Sequence, residues 1–404
     1  MRKIFLMGMW LTFSAMFAYA GGYQVRLQGQ KQTGMGLIGT PMNFGASSIF
    51  YNPGALSFMK HNNSFDIGVN LIKSNVLYQS NTSSYQAETD NPLGTPAYLY
   101  GAAKIGEKFV VGLGFYTPYG STTKWDDNWA GKYLIQNISL KAYYIQPTIS
   151  YRILDNLSFG AGFVMVQGNV DLQKALPYSE TSNVRLLGTD YSFGYNLGVY
   201  YQASPKLNIG VDYRSEIKMQ VAGGDATFNI PSSLESVVAK NNKFSAELPL
   251  PANLDFGINY QINEKLSAAV ELDYIFWGTY KELSFTFEDN GDILDNTNPR
   301  EYSNVLIPRI GLEYILNPMF TFRLGGYYDQ TPTNENYFSP ETVSLDTYAY
   351  TLGISIQATE HLGIDLTYLG LNGKESVKSY TPDNFSGRYK TTAAIFGFGI
   401  SYNF

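Results

Sequence analysis

Polar and apolar residues alternate one by one over most of this chain, the period of a strand with two unlike faces. In "KLNIGVDYRS", Leu207, Ile209, Val211 and Tyr213 share one face, and Asn208, Gly210, Asp212 and Arg214 share the other. "LSAAVELDYIF" sets Leu266, Val270, Leu272 and Tyr274 against Glu271 and Asp273, and "MFTFRLGGYYD" sets Phe320, Phe322 and Leu324 against Thr321, Arg323 and Gly325. Helical spacing is almost absent. The alternation predicts fourteen strands, near 64–73, 97–105, 108–116, 138–153, 156–170, 190–202, 206–219, 244–262, 265–287, 302–316, 319–329, 345–357, 361–371 and 389–404.

The connections are as informative as the strands. Six are tight, such as Gly106-Glu107, Asn263-Glu264 and Asn317-Pro318, and seven are long and polar, such as 74–96, 117–137 and 372–388. Tight and long connections alternate without exception, as short periplasmic turns and long outer loops do in an outer-membrane barrel. A cation facing lipid at the bilayer midplane costs about 2–4 kcal/mol, so the charged faces must point into the lumen and the apolar faces outward. Strands running toward the tight turns end their apolar faces with Tyr151, Tyr201, Tyr260, Tyr314 and Tyr402; strands running the other way end with Tyr213, Phe276, Tyr328 and Tyr368. Two rings of aromatics suit the two headgroup levels of a bilayer. The predicted fold is all-β: a 14-stranded antiparallel transmembrane β-barrel in the outer membrane of a Gram-negative cell.

Composition then narrows the picture. Arg2 and Lys3, an apolar run to Phe17 and Ala18-Tyr19-Ala20 form a secretory signal over 1–20. There is no cysteine, so neither disulfides nor thiol chemistry is available. Net charge is −6 with no basic block, which argues against nucleic acid as a partner, and two histidines leave little for metal sites. No cofactor is expected. A barrel of this size would be open unless filled, and the one sizeable segment outside strands and loops is 21–62, with breaks at Thr40-Pro41 and Asn52-Pro53-Gly54. We expect it to fold back as a plug, or hatch, within a barrel spanning 63–404.

The run "GYQVRLQGQKQTGMG…FGASSIFYNPGALSF" resembles the N-terminal hatch of the FadL family of outer-membrane transporters. "GLGFYTPYGSTTKW", "LPLPANLDFGINYQINEKLSAAVELDYIFWGTYKEL", "YYDQTPT" and the ending "FGISYNF" extend the resemblance in order from Gly21 to Phe404. The resemblance implies uptake of hydrophobic molecules such as long-chain fatty acids or aromatic hydrocarbons. It further implies capture on outer loops, a lumenal site behind the hatch, and sideways release where the third strand kinks inward. The family's Asn-Pro-Ala is Asn52-Pro53-Gly54 here, which leads us to expect a looser hatch turn.

Candidate residues follow. Gly112, Gly114, Pro118 and Gly120 weaken the third strand and mark a candidate gap, the alternative being that Pro118 simply ends that strand. Tyr119, Trp125, Trp129 and Tyr133 are candidates for outer-loop capture, or for anchoring the loop at the membrane surface. Arg214, Arg309 and Arg323 are candidate partners for a ligand carboxylate, in competition with pairing to Asp212, Asp255, Glu271 or Glu313. The expected partners are a fatty-acid-like ligand, outer-membrane lipid and lipopolysaccharide, and the barrel-assembly machinery through Phe404; the barrel is expected to be a monomer. A general porin is the main rival. His361 and Asp365 share a strand face, but no nucleophile motif accompanies them, and a barrel enzyme is not expected. "DNGDILDN" at 289–296 lacks the sixth-position Gly and twelfth-position Glu of a calcium loop and reads as a solvated loop.

Overall fold

In the computed structural model, which describes residues 22–404, alternation becomes a wall. The signal segment 1–20 lies outside the described residues. Phe65 and Ile67 of the first strand are about half exposed while Asp66 and Asn70 are buried, and this parity recurs around the ring. The result is a closed 14-strand antiparallel barrel. In chain order the wall strands are Asn63–Ser80, Ala97–Ile105, Phe109–Lys124, Asn137–Leu154, Leu157–Ala175 and Asn183–Ser204. The seventh to ninth are each interrupted: Leu207–Arg214 with Ile217–Asn229, Asn241–Leu250 with Asn253–Gln261, and Leu266–Ile275 with Glu282–Phe287. Val305–Ile315, Phe320–Asp329, Thr347–Gln357, Leu362–Gly373 with Ser376–Tyr380, and Phe385–Asn403 complete it. Closure comes from the first and last strands, paired from Ser64↔Asn403 to Ser80↔Gly387.

Several strands run farther than their alternation predicts. The first reaches Ser80, the third Lys124, and the sixth begins at Asn183. These extensions stand on the side of the long loops, where the outer face turns polar. Asp171 pairs there with Arg185 at 2.8 Å and Asp225 with Lys243 at 2.6 Å. Toward the tight turns, Tyr151, Tyr201, Tyr260, Tyr314 and Tyr402 all point outward and are exposed, as a lipid-facing girdle requires.

The residues before the wall form short pieces rather than strands: a helix at Gln30–Gly34, a turn of helix at Ser48–Tyr51 and a 3-10 segment at Pro53–Phe58. Not one residue from Tyr23 to Met59 is exposed. Their contacts reach inward faces on opposite sides of the ring. Gln30 bonds Asn70 and Thr367, Gly36 N donates to Thr351 Oγ1 at 2.9 Å, and Asn52 Nδ2 donates to Val199 O at 2.9 Å.

Candidate functional site

The inward faces that receive this segment are stripped of side chains where its backbone comes closest. A β-carbon on Gly160 would stand 2.2 Å from the Pro53 carbonyl carbon, and one on Gly198 would stand 2.2 Å from Asn52 Oδ1. Asn52 holds the turn from within: its Oδ1 accepts from Gly54 N at 2.9 Å and its Nδ2 donates to Thr40 O at 2.8 Å. The turn is therefore not looser for having Gly54. A β-carbon there would meet Gly198 O at 2.8 Å, so glycine serves close approach at this position rather than backbone freedom.

Charge holds the other end. The guanidinium of Arg26 bonds Asp255 at 3.0 and 2.6 Å, Asp273 at 3.1 Å and Glu271 at 3.2 Å. Glu271 also accepts the backbone N–H of Gly39 and Thr40, at 3.1 and 2.9 Å. Arg26 was not among the sequence candidates, because its partners lie more than 220 residues away along the chain.

The three arginines proposed for ligand binding are each engaged by the protein itself. Arg214 donates to Tyr116 Oη at 2.9 Å, reaches Gln146 and the Phe50 carbonyl, and stacks 4.4 Å from the Phe50 ring. Arg309 binds Asp273 at 2.9 Å, and Arg323 binds Glu313 at 2.7 Å. Internal pairing thus describes Arg309 and Arg323, while Arg214 ties the N-terminal segment to the wall.

The outer aromatics also need correction. Trp125 and Trp129 are buried and stacked on each other, with centroids 4.1 Å apart. Their indole N–H groups donate to Pro340 O at 3.1 Å and Ile135 O at 2.7 Å. They form a small core beneath the outer loops, so no ring face is open for capture. Tyr119 lies inside, its hydroxyl donating to Pro251 O at 3.0 Å; of the four, Tyr133 is the exposed one.

The third strand does not end at Pro118. Its ladder with the second strand stops at Tyr98↔Tyr116, while its ladder with the fourth continues to Lys124↔Asn137 through a bulge between Tyr116 and Tyr119. Such a bulge bends the strand and adds twist. Beyond it the strand turns to the N-terminal segment: Val25 N donates to Pro118 O at 2.7 Å, and Gly120 N to Tyr23 O at 2.9 Å. Beside that bulge lies a cavity of about 250 Å³, bounded by Ile72 of the first strand, Pro92 and Pro96 of the connection that follows it, Gly120 of the third strand, and Leu140 and Tyr143 of the fourth. Gly112 and Gly114 sit lower, beneath Ile49, where the wall is fully paired.

A second cavity, of about 80 Å³, lies against the first and shares Tyr119, Gly120, Leu140 and Ala142 with it. Its walls include Leu140, Val170, Met219, Phe244, Leu250 and Leu283, a lining that leaves water little to bond. Glu341 and Thr342 close one side. Glu341 forms an ion pair with Arg300, from the connection after the ninth strand. Burial works against the Arg300 charge, but Glu341, then Tyr280 and Tyr302, outweigh it and raise its pKa.

The remaining sequence candidates resolve simply. His361 is an exposed turn residue bonded through Nδ1 to the Asn403 carbonyl at 2.7 Å, while Asp365 is buried beside Ser355 and 3.9 Å from Lys31. Residues 291–294 form a helical turn, and among the described residues no cluster of His, Asp and Glu is placed to hold a metal ion.

Comparison with known proteins agrees with this architecture. The chain matches the family model described as outer membrane protein transport protein (OMPP1/FadL/TodX) over residues 11–404. It is 26% identical to outer membrane protein P1 of Haemophilus influenzae over 89% of this chain and 90% of that one. Its fold matches a Pseudomonas aeruginosa FadL homologue with a TM-score of 0.84 at 19% identity, covering 95% of this chain and 100% of that one. The Ralstonia pickettii toluene transporter TbuX superposes with a TM-score of 0.72 at 19% identity, covering 93% and 98%. The chain belongs to the OMPP1/FadL/TodX family of outer-membrane transport proteins for hydrophobic compounds.

Proposed function

We propose that this barrel takes up hydrophobic molecules, of the long-chain fatty acid or aromatic hydrocarbon class, and releases them sideways into the membrane. One observation carries the reading: an apolar chamber adjoins a second cavity at the third-strand bulge, where the ladder with the second strand breaks off. The level of that break favours lateral release. On the outer face the apolar pair Phe115↔Ile145 lies just below it, and Gly120↔Lys141 just above, so it opens near the boundary of hydrocarbon and headgroups. A chain leaving an apolar site for water loses about 0.8 kcal/mol per CH₂, and passage directly into the bilayer avoids that loss.

In this reading the segment 21–62 is the hatch. It fills the bore that a general porin would leave open, and its Tyr23–Val25 edge bonds the third strand beside the break, so that ligand access and hatch position are linked. Tyr133 is the remaining candidate for outer capture. Uptake of a labelled fatty acid and of labelled toluene by cells lacking this protein, with and without its re-expression, tests the proposal. Restored uptake of at least one compound supports it. No uptake of either, together with stable ion conductance in planar bilayers, would favour a porin.

A further inference from the structure

The connection between the eleventh and twelfth strands does not stand in solvent. Every residue from Ser339 to Leu345 is buried, and Glu341 and Thr342 from this stretch wall the apolar chamber. The Glu341 carboxylate meets Arg300, with the two side chains only 7% and 3% exposed. Arg300 Nη1 reaches the Pro299 carbonyl at 3.2 Å, while its Nε has no hydrogen-bond partner. The Tyr380 ring lies 5.8 Å from the guanidinium carbon, and Tyr280 lines the chamber beside it. Lys174 is within electrostatic range of the same carboxylate. Glu341 thus belongs at once to the chamber wall and to the ion pair, while Arg300 lies behind it, outside the lining, with its carboxylate partner supplied by the chain itself.

We infer that Glu341 is an internal stand-in for the head group of an anionic amphiphile, and that a ligand carboxylate displaces it from Arg300 while the ligand's tail fills the chamber. The inference rests on the transport reading above and names the ligand chemistry of the same site. A buried guanidinium left unpaired is strongly disfavoured, but exchange of one carboxylate for another keeps Arg300 paired at both ends of the process. An uncharged ligand cannot make this exchange. Displacement of Glu341 also frees 339–345 from its ion pair, so arrival of the correct ligand loosens the chamber's cover.

The test uses the purified full chain in mild detergent and compares hexadecanoic acid with hexadecanol, by calorimetry. E341Q is expected to tighten binding of the acid about tenfold relative to the alcohol, because the internal competitor is gone. The double variant R300M/E341L, which replaces the pair by apolar groups of similar size, is expected to bring the acid-to-alcohol ratio near one. An unchanged ratio in folded E341Q, or a retained acid preference in the double variant, would show a fixed structural pair and overturn the inference alone. If E341Q does not fold, the double variant decides. Failure of the unaltered protein to bind either compound would overturn the transport reading and this inference with it.

Discussion

Replacing Arg26 by leucine isolates what holds the N-terminal segment in place. The guanidinium donates four hydrogen bonds to three carboxylates, and Asp255, Glu271 and Asp273 are themselves almost wholly buried. Without Arg26, the one cation left in contact with those three among the described residues is Arg309, which lies 2.9 Å from Asp273 and 4.0 Å from Glu271. Removing one member of a buried ion pair costs about 3–5 kcal/mol, mostly through the charges left uncompensated. At about 1.4 kcal/mol per decade, the detached population should rise by roughly two to three and a half decades. The wall is unaffected, since no ladder hydrogen bond involves Arg26. Single-channel recording in planar bilayers reads this directly as frequent bursts of ion conductance, with normal heat-shifted migration showing an intact barrel. An R26L/D255N/D273N variant should recover much of the closed state by removing the orphaned charges. Bursts no more frequent in R26L than in the unaltered protein would refute the view that this ion network locks the segment.

Other consequences can be checked separately. L324R places a cation on the outward, half-exposed face of the eleventh strand and should destabilise the barrel by about 2–4 kcal/mol in reversible urea unfolding from vesicles; no loss would mean that this face does not meet hydrocarbon. G120L puts a side chain where both cavities meet, with only Leu140 O near its β-carbon, and should lower uptake several-fold at normal surface expression. Unchanged uptake would exclude the third-strand break as the exit. W129A removes half of the buried Trp125–Trp129 stack, a truncation that typically costs about 3–5 kcal/mol. It should expose the outer loops to limited proteolysis, and unchanged protection would show that the stack does not organise them.

Strand number and orientation were legible because lipid imposes its parity one residue at a time, as Leu207 to Arg214 show, with Asp212 and Arg214 buried. The same rule explains the errors in strand length. Beyond the hydrocarbon level outward positions are free to be polar, as Asp171 and Arg185 are, so alternation fades while the ladder continues. Trp125 and Trp129 were misread because an indole suits a loop core as well as an exposed anchor, and only the Pro340 and Ile135 carbonyls that hold their N–H groups distinguish the two. The burial of 339–345 left no periodic trace, since an irregular segment can turn any residue inward. Arg26 and Arg300 find partners 229 and 41 residues away, distances at which no spacing rule in the sequence operates. Pro118 marked the neighbourhood of the wall break, but not that the strand continues through a bulge to Lys124.

The most direct test of the account is to locate a ligand. A structure of the protein soaked with a terminally brominated fatty acid, phased for anomalous scattering, should show the bromine between Met219, Leu250 and Leu283 or in the adjoining cavity beside Gly120. Bromine found only in the detergent belt, with the apolar chamber empty, would contradict it.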